Sequence, residues 1–316
     1  MESTLQQAGP SGYLRLFLKG VMMGAADAVP GVSGGTVAFI TGIYEELIHS
    51  IRRCDPIALK VLFTQGVKAF WQHINGNFLL TLLLGIGSSL ASLAHIVLYL
   101  LDTHPVLLWA FFFGLILASV WSVVRHVGDW RMDRTLIFFF GAVFAYLITS
   151  LSPTSIEATP MFIVISGMIA ICAMILPGIS GSFILLLLGM YSTILSAVKA
   201  LELVTLGLFV FGCVLGLLSF SRVLSWAFER FRELTLALLG GFLLGSLNKV
   251  WPWKYTLSYT LNSKGEQVPL VEQNITPSAY LDLTGVDPQT LVSVVLAIIG
   301  ALLVLALDRQ NSGVQR

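Results

Sequence analysis

Two apolar stretches of this chain, about 14 to 50 and 161 to 198, are each too long for one bilayer crossing. Each is broken near its centre by the same signature, Pro30-Gly31-Val32-Ser33-Gly34 and Pro177-Gly178-Ile179-Ser180-Gly181. Backbone that leaves helical geometry at membrane depth is tolerated only where it is buried in protein or lines a wet cavity, so each break marks a site. A shift of 147 positions superimposes the stretches. Gly20, Ala26, Pro30, Gly31, Ser33, Gly34, Gly42 and Tyr44 then meet Gly167, Ala173, Pro177, Gly178, Ser180, Gly181, Gly189 and Tyr191. Chance likeness between apolar helices matches Leu and Val, not Pro, Gly and Ser in register. Downstream, a shift of 127 pairs Gly85, Leu90 and Ser92 with Gly212, Leu217 and Ser219, and Ala110, Gly114, Leu117 and Ser119 with Ala237, Gly241, Leu244 and Ser246. The chain is therefore a duplication, and the polar segment 51–76 absorbs the change of shift.

The remaining apolar runs are expected to cross the membrane as helices at 77–101, 105–124, 135–151, 203–225, 234–250 and 289–307. They are continuous and close to the ~20 residues a spanning helix needs, unlike the ~10-residue alternating strands of a membrane β-barrel. With 56% hydrophobic and 11% charged residues, a soluble globule is excluded. A net charge of +1 leaves no nucleic-acid footprint. Cys54, Cys172 and Cys213 are scattered and suggest neither a disulfide framework nor a metal site. The first 12 residues are polar and lack the pattern of a cleaved secretory signal, so a cytoplasmic amino terminus is expected.

Basic residues decide whether the broken stretches cross or dip and return, because cytoplasmic loops are enriched in Lys and Arg. With both dipping, the inside holds Arg15, Lys19, Arg52, Arg53, Lys60, Lys68, Arg125, Arg131, Arg134, Arg222, Arg230, Arg232, Arg309 and Arg316, which is 14 of 18. Lys199, Lys249, Lys254 and Lys264 stay outside. If both crossed, the best split would be 11 to 7. The expected fold is thus an all-α integral membrane protein of two inverted-topology repeats, 1–151 and 161–307. Each is a re-entrant broken helical hairpin plus three transmembrane helices, with both termini cytoplasmic and an external loop at 251–287. Many secondary transporters share this plan, with broken helices meeting near the midplane.

At each break the proline ends one helix, and the next begins with free amide groups at its positive dipole end. Such a tip suits an anion, phosphate oxygens above all. The candidate substrate-binding residues are Pro30, Gly31, Ser33, Gly34, Gly35 and Thr36 in the first hairpin and Pro177, Gly178, Ser180, Gly181 and Ser182 in the second. The plainer alternative is a tight turn that lets helices pack closely. Asp27 lies in an otherwise uncharged run opposite Met174. An ionised group there costs roughly 2.5 to 3.5 kcal/mol to insert, so a role is expected. It either binds a coupling proton or cation, or caps the tip by accepting amide bonds. Glu45 and Glu46 with Arg52 and Arg53 read as interfacial ion pairs. Arg222 is a possible phosphate contact but reads more readily as snorkelling to the interface. Trp251-Pro252-Trp253 reads as an aromatic anchor.

The twin motifs, Asp27-Ala-Val-Pro-Gly-Val-Ser-Gly-Gly-Thr36 and Leu176-Pro-Gly-Ile-Ser-Gly-Ser182, together with Trp251-Pro-Trp253, resemble the bacterial polyprenyl-phosphate transporter family over nearly the whole chain. That resemblance implies translocation of undecaprenyl phosphate, a lipid carrier of cell-wall precursors, from the outer to the cytoplasmic leaflet of the bacterial inner membrane. It implies no cofactor, metal or nucleotide, and leaves proton or cation coupling as an expectation. A membrane-embedded undecaprenyl pyrophosphate phosphatase shares the inverted repeats and a Pro-Gly-x-Ser motif. There an arginine follows the serine, whereas here Gly34 and Gly181 stand in its place, removing the main electrostatic support for phosphoryl chemistry. A small-anion or ion carrier of the same architecture is the third reading.

Overall fold

A computed structural model describes residues 4–27, 32–151, 158–261 and 267–314. The chain is predominantly helical. The first broken stretch forms α1 (Thr4–Asp27), α2 (Gly34–Ile40) and α3 (Tyr44–Arg52). The polar segment after it folds as two short helices, α4 (Pro56–Gln65) and α5 (Val67–His73), the former begun by Asp55, which accepts from the Ala58 amide at 2.9 Å. Then come α6 (Gly76–Thr103), α7 (Pro105–Val124) and α8 (Met132–Ser150). The second broken stretch forms α9 (Pro160–Ile175), α10 (Gly181–Leu187) and α11 (Tyr191–Ala200), with α10 and α11 bent 109° to each other.

Helix α12 runs from Leu203 to Ser246. Its 44 residues would reach roughly 66 Å if straight, twice a bilayer core. Phe231 (φ −136°, ψ 46°) breaks it between Arg230 and Arg232, so two spans join through one non-helical residue. Strands β1 (Lys254–Leu261) and β2 (Gln267–Asn274) pair antiparallel, and α13 (Pro277–Thr284) and α14 (Thr290–Val314) follow. Among the described residues α6, α7, α8, α12 and α14 are long and apolar enough to cross a membrane, which makes the chain a multi-pass membrane protein. The 251–287 segment departs from the all-helical expectation: its alternating polar and apolar residues form a pair of antiparallel strands, because period-2 alternation favours a strand.

Helices approach one another through glycine, as expected where lipid removes the hydrophobic drive to associate. A methyl on Gly20 of α1 would sit 2.5 Å from the Leu82 carbonyl oxygen of α6, and one on Gly85 would strike the Phe17 carbonyl. The same contact recurs between α9 and the first half of α12. A methyl on Gly167 would lie 2.5 Å from the Phe209 oxygen, and one on Gly212 would strike Val164. Helix α7 packs on α14 through Gly114 and Gly300, and the second half of α12 packs on α8 through Gly241 and Gly141. The third helix after each hairpin therefore pairs with the middle helix of the other half.

The main apolar core draws on both halves and contains Val37, Ile40, Tyr44, Phe78, Ile116, Phe228 and Leu243. Two smaller clusters surround the second hairpin, one around Ile179, Phe183 and Leu187, the other around Ile163, Met190 and Ile194. The arginine-bearing helix ends are joined by Arg52–Glu229 (2.5 Å), Arg232–Glu45 (3.0 Å), Arg134–Glu233 (3.7 Å) and Arg125–Asp308 ion pairs. Glu45 and Arg52 thus pair across to α12 rather than with each other along α3. The reason is that α3 packs against α12 beside its break.

Candidate functional site: the paired hairpin tips

The two breaks meet. Ser33 caps α2, its hydroxyl accepting from the Gly35 amide at 3.0 Å while donating to the Met174 carbonyl of α9 at 2.8 Å. The Gly178 amide returns the contact, donating to the Thr36 hydroxyl oxygen at 2.9 Å. Tyr44, fully buried, donates to the Ile175 carbonyl at 3.1 Å. The last carbonyls of α9 have lost their helical partners at the break. Donors from the first hairpin replace those partners.

Close approach requires glycine at two of these positions. A methyl on Gly35 would lie 2.5 Å from the Ile175 oxygen and 3.0 Å from that of Met174, both backbone atoms that cannot swing aside. Gly178 adopts φ +89°, a conformation L side chains rarely accept, and a methyl there would also meet the Ser246 hydroxyl at 2.8 Å.

Of the two alternatives for Asp27, the structure contains the cap geometry. The Asp27 carboxylate accepts from the Gly34 amide at 2.6 Å, so an anion of the protein's own occupies the start of α2. The matching position in the second hairpin is Met174, whose Cβ lies 3.2 Å from where a methyl on Gly181 would be. Among the described residues no side chain caps α10. Ser180 and Ser182 share a hydrogen bond at 2.8 Å instead.

Ser33, Gly34, Gly35, Thr36, Gly178, Ser180, Gly181, Ser182 and Asp27 therefore lie at or beside the junction of the hairpins, with Ser33 and Thr36 fully enclosed. Pro177 leads into Gly178 after α9 ends at Ile175. Pro30 and Gly31 lie outside the described residues. Arg222 bonds the Leu218 carbonyl of its own helix at 2.7 Å rather than either tip. Among the described residues no cluster of three or more His, Cys, Asp or Glu is arranged to hold a metal.

Sequence reasoning missed a polar group at the other end of the bundle. Trp251 and Trp253, read from the sequence as an aromatic anchor, are each tied to the protein's own backbone. The Trp251 ring N–H donates to the Ile275 carbonyl at 2.8 Å and that of Trp253 to Pro288 at 2.9 Å, and Trp253 is buried. They pin the β-hairpin segment onto the bundle, which brings Lys254 over the ring of Trp109 and sets Glu272 beside Lys249 and Lys254. The clue in the sequence was the Trp-Pro-Trp-Lys order, since tryptophan supplies both an apolar face and a donor.

Residues 23–268 match the VCA0040-like family, described as undecaprenyl phosphate translocase-like. A polyprenyl-phosphate transporter of Vibrio cholerae is 54% identical over 297 residues, 94% of this chain and 96% of that protein. A polyprenyl-phosphate transporter of Staphylococcus aureus is 33% identical over 254 residues, 74% of this chain and 85% of that protein. No solved structure matches. With the family pattern covering most of the chain and its twin motifs meeting at one junction, the protein belongs to the VCA0040-like, undecaprenyl phosphate translocase-like family.

Proposed function

We propose that this protein carries polyprenyl phosphate, undecaprenyl phosphate in particular, from the outer to the cytoplasmic leaflet of the bacterial inner membrane for reuse. The observation that carries this reading is the hydrogen-bonded junction between two non-helical breaks, Ser33 to Met174 and Gly178 to Thr36. In the inverted-repeat arrangement one hairpin enters from the cytoplasm and the other from outside, so their junction divides the two faces. The grouping of Arg52, Arg125, Arg134 and Arg232 in one set of ion pairs agrees with a cytoplasmic face there.

The donors at the junction are committed to one another, so the head group reaches them when the tips part. Each neutral bond broken costs about 1 kcal/mol net, and bonds to a charged phosphate oxygen are roughly twice as strong. The prenyl tail stays in lipid between helices while the head group passes. Asp27 supplies the coupling step in this scheme. Protonation weakens its hold on the Gly34 amide, freeing that donor and removing a charge that would repel phosphate.

Transfer of labelled undecaprenyl phosphate between leaflets of proteoliposomes, with phosphate release from the pyrophosphate followed in parallel, tests the reading. Transfer without hydrolysis is expected. Hydrolysis would establish the phosphatase instead, and absence of both would favour an ion or small-anion carrier. Asp27→Asn is expected to flatten the pH dependence of transfer, and an unchanged pH profile would remove Asp27 from coupling.

A further inference from the structure

A cavity of about 280 Å³ opens between the end of α8, the end of α12 and the β-hairpin, lined by Lys249, Lys254, Glu272, Asn248, Asn274 and Phe183 among others. Lys254 stands opposite Asn274 in the strand register, and Glu272, two residues before it, shares that face of the hairpin. The Lys254 side chain is 7% exposed, and its ammonium group lies 3.8 Å from the Trp109 ring centroid with no hydrogen-bond acceptor among the described residues. Its carboxylate neighbour, Glu272, is 3.6 Å away. An ammonium carries three donors, and burying them unmet is costly unless an acceptor arrives. Lys249 reaches the same carboxylate at 3.5 Å and lies 4.9 Å from the Phe183 ring centroid. Two ammonium groups against one carboxylate leave the cavity positive.

The cavity also has an apolar flank. Tyr146 and Leu151 at the end of α8 line it and are more than half exposed, and Val143 and Leu147 extend the same helix face with similar exposure. Its floor, Phe183, directly follows Ser182, so the cavity abuts the second hairpin.

We infer that this cavity is a second anion site, which takes the phosphomonoester head of a prenyl lipid between Lys249 and Lys254 while the tail lies along α8. The phosphate half of the inference stands on the cavity alone, and the lipid half rests on the translocation reading. The site lies at the opposite end of the bundle from the arginine ion pairs, where a lipid arriving from the outer leaflet would first meet the protein. It is a loading site ahead of the tips.

Burial holds the Lys254 pKa down at about 8, against Glu272, which raises it. The other charged or titratable groups facing the cavity are Lys249 and Tyr146. Because Lys254 loses its proton near pH 8, binding is expected to weaken as the pH rises through that value.

The test is equilibrium binding of a short-chain prenyl phosphate to the purified full-length protein, with inorganic phosphate and the uncharged prenol as parallel probes. Lys254→Met is expected to bind prenyl phosphate at least tenfold more weakly, while Lys254→Arg keeps most of the affinity. Inorganic phosphate and prenol should each bind at least tenfold more weakly than prenyl phosphate. Unchanged affinity in Lys254→Met overturns the site, and inorganic phosphate binding as tightly as prenyl phosphate overturns the lipid assignment. Should Lys254→Met fail to fold, the unaltered protein decides through its pH series, where flat affinity from pH 7 to 9.5 overturns the site. Binding that depends on Lys254 in a protein that transfers no lipid would leave the cavity standing and overturn translocation.

Discussion

The two hairpins share a motif but not an environment. In the first, six of the seven residues of α2 are buried, and its flank contributes Val37, Ile40, Ile43 and Tyr44 to the main core. In the second, α10 and α11 rest in two small clusters, and Tyr191, the counterpart of buried Tyr44, is 43% exposed. The first tip is closed by two caps, Asp27 on Gly34 and Ser33 on Gly35. The second offers α10 amides without a side-chain cap. Local opening draws on regions with few buried apolar contacts. The difference teaches that duplication yielded one tip anchored in the main core and one held by smaller clusters, and on the proposed function the second is the one that gives way first.

The largest effect expected from breaking this contrast comes at the tightest contact. Gly35→Ala drives a methyl into the Ile175 carbonyl and should separate the tips, costing about 1–3 kcal/mol of stability by overpacking and at least tenfold in transfer. Its counterpart, Ser182→Ala, removes one hydroxyl and should cost less than about 1.5 kcal/mol. Thermal unfolding in detergent compares the two, and equal losses would erase the distinction. Next in size is Met174→Asp, which builds the first tip's carboxylate into the second. Lipid transfer should fall about tenfold, equivalent to about 1.4 kcal/mol of binding, and undiminished transfer would remove the second tip as the anion site.

Tyr44→Phe leaves the Ile175 carbonyl without its donor and should destabilise by about 1–3 kcal/mol, whereas Tyr191→Phe should be close to neutral in the same melt. The remaining comparison is a pH series on Lys254, beside the second hairpin. Its pKa is depressed, so the folded protein binds fewer protons than the unfolded chain between about pH 8 and 10.5. Stability must then rise with pH across that window, as the penalty for a buried ammonium is relieved. Against Lys254→Met, the unaltered protein should gain melting temperature as pH rises from 7.5 to 10, and a constant difference would contradict the burial of a charged lysine.

Much of this was legible in the sequence, and for physical reasons. Pro177, Gly178 and Ser33 declare themselves because a proline or glycine at membrane depth demands compensation, and the 147-residue register showed that the demand arose twice. Asp27 was conspicuous because a charge in an apolar run needs a partner, and the Gly34 amide is that partner. The sequence does not say who the neighbours are. That Ser33 bonds Met174, 141 residues away, depends on how the halves dock, and no local pattern encodes it. Lys254 looked like a loop lysine because its burial depends on Trp251 and Trp253 folding the β-hairpin back over Trp109. Glu45 and Arg52 looked like partners by spacing, yet each found a better-placed charge on α12.

The central claim is that lipid passes through the junction of the tips. The most direct measurement is the rate of leaflet transfer of labelled polyprenyl phosphate in proteoliposomes holding matched amounts of folded unaltered and Gly35→Ala protein. The account predicts transfer by the former and at least tenfold slower transfer by the latter. Equal rates would contradict it.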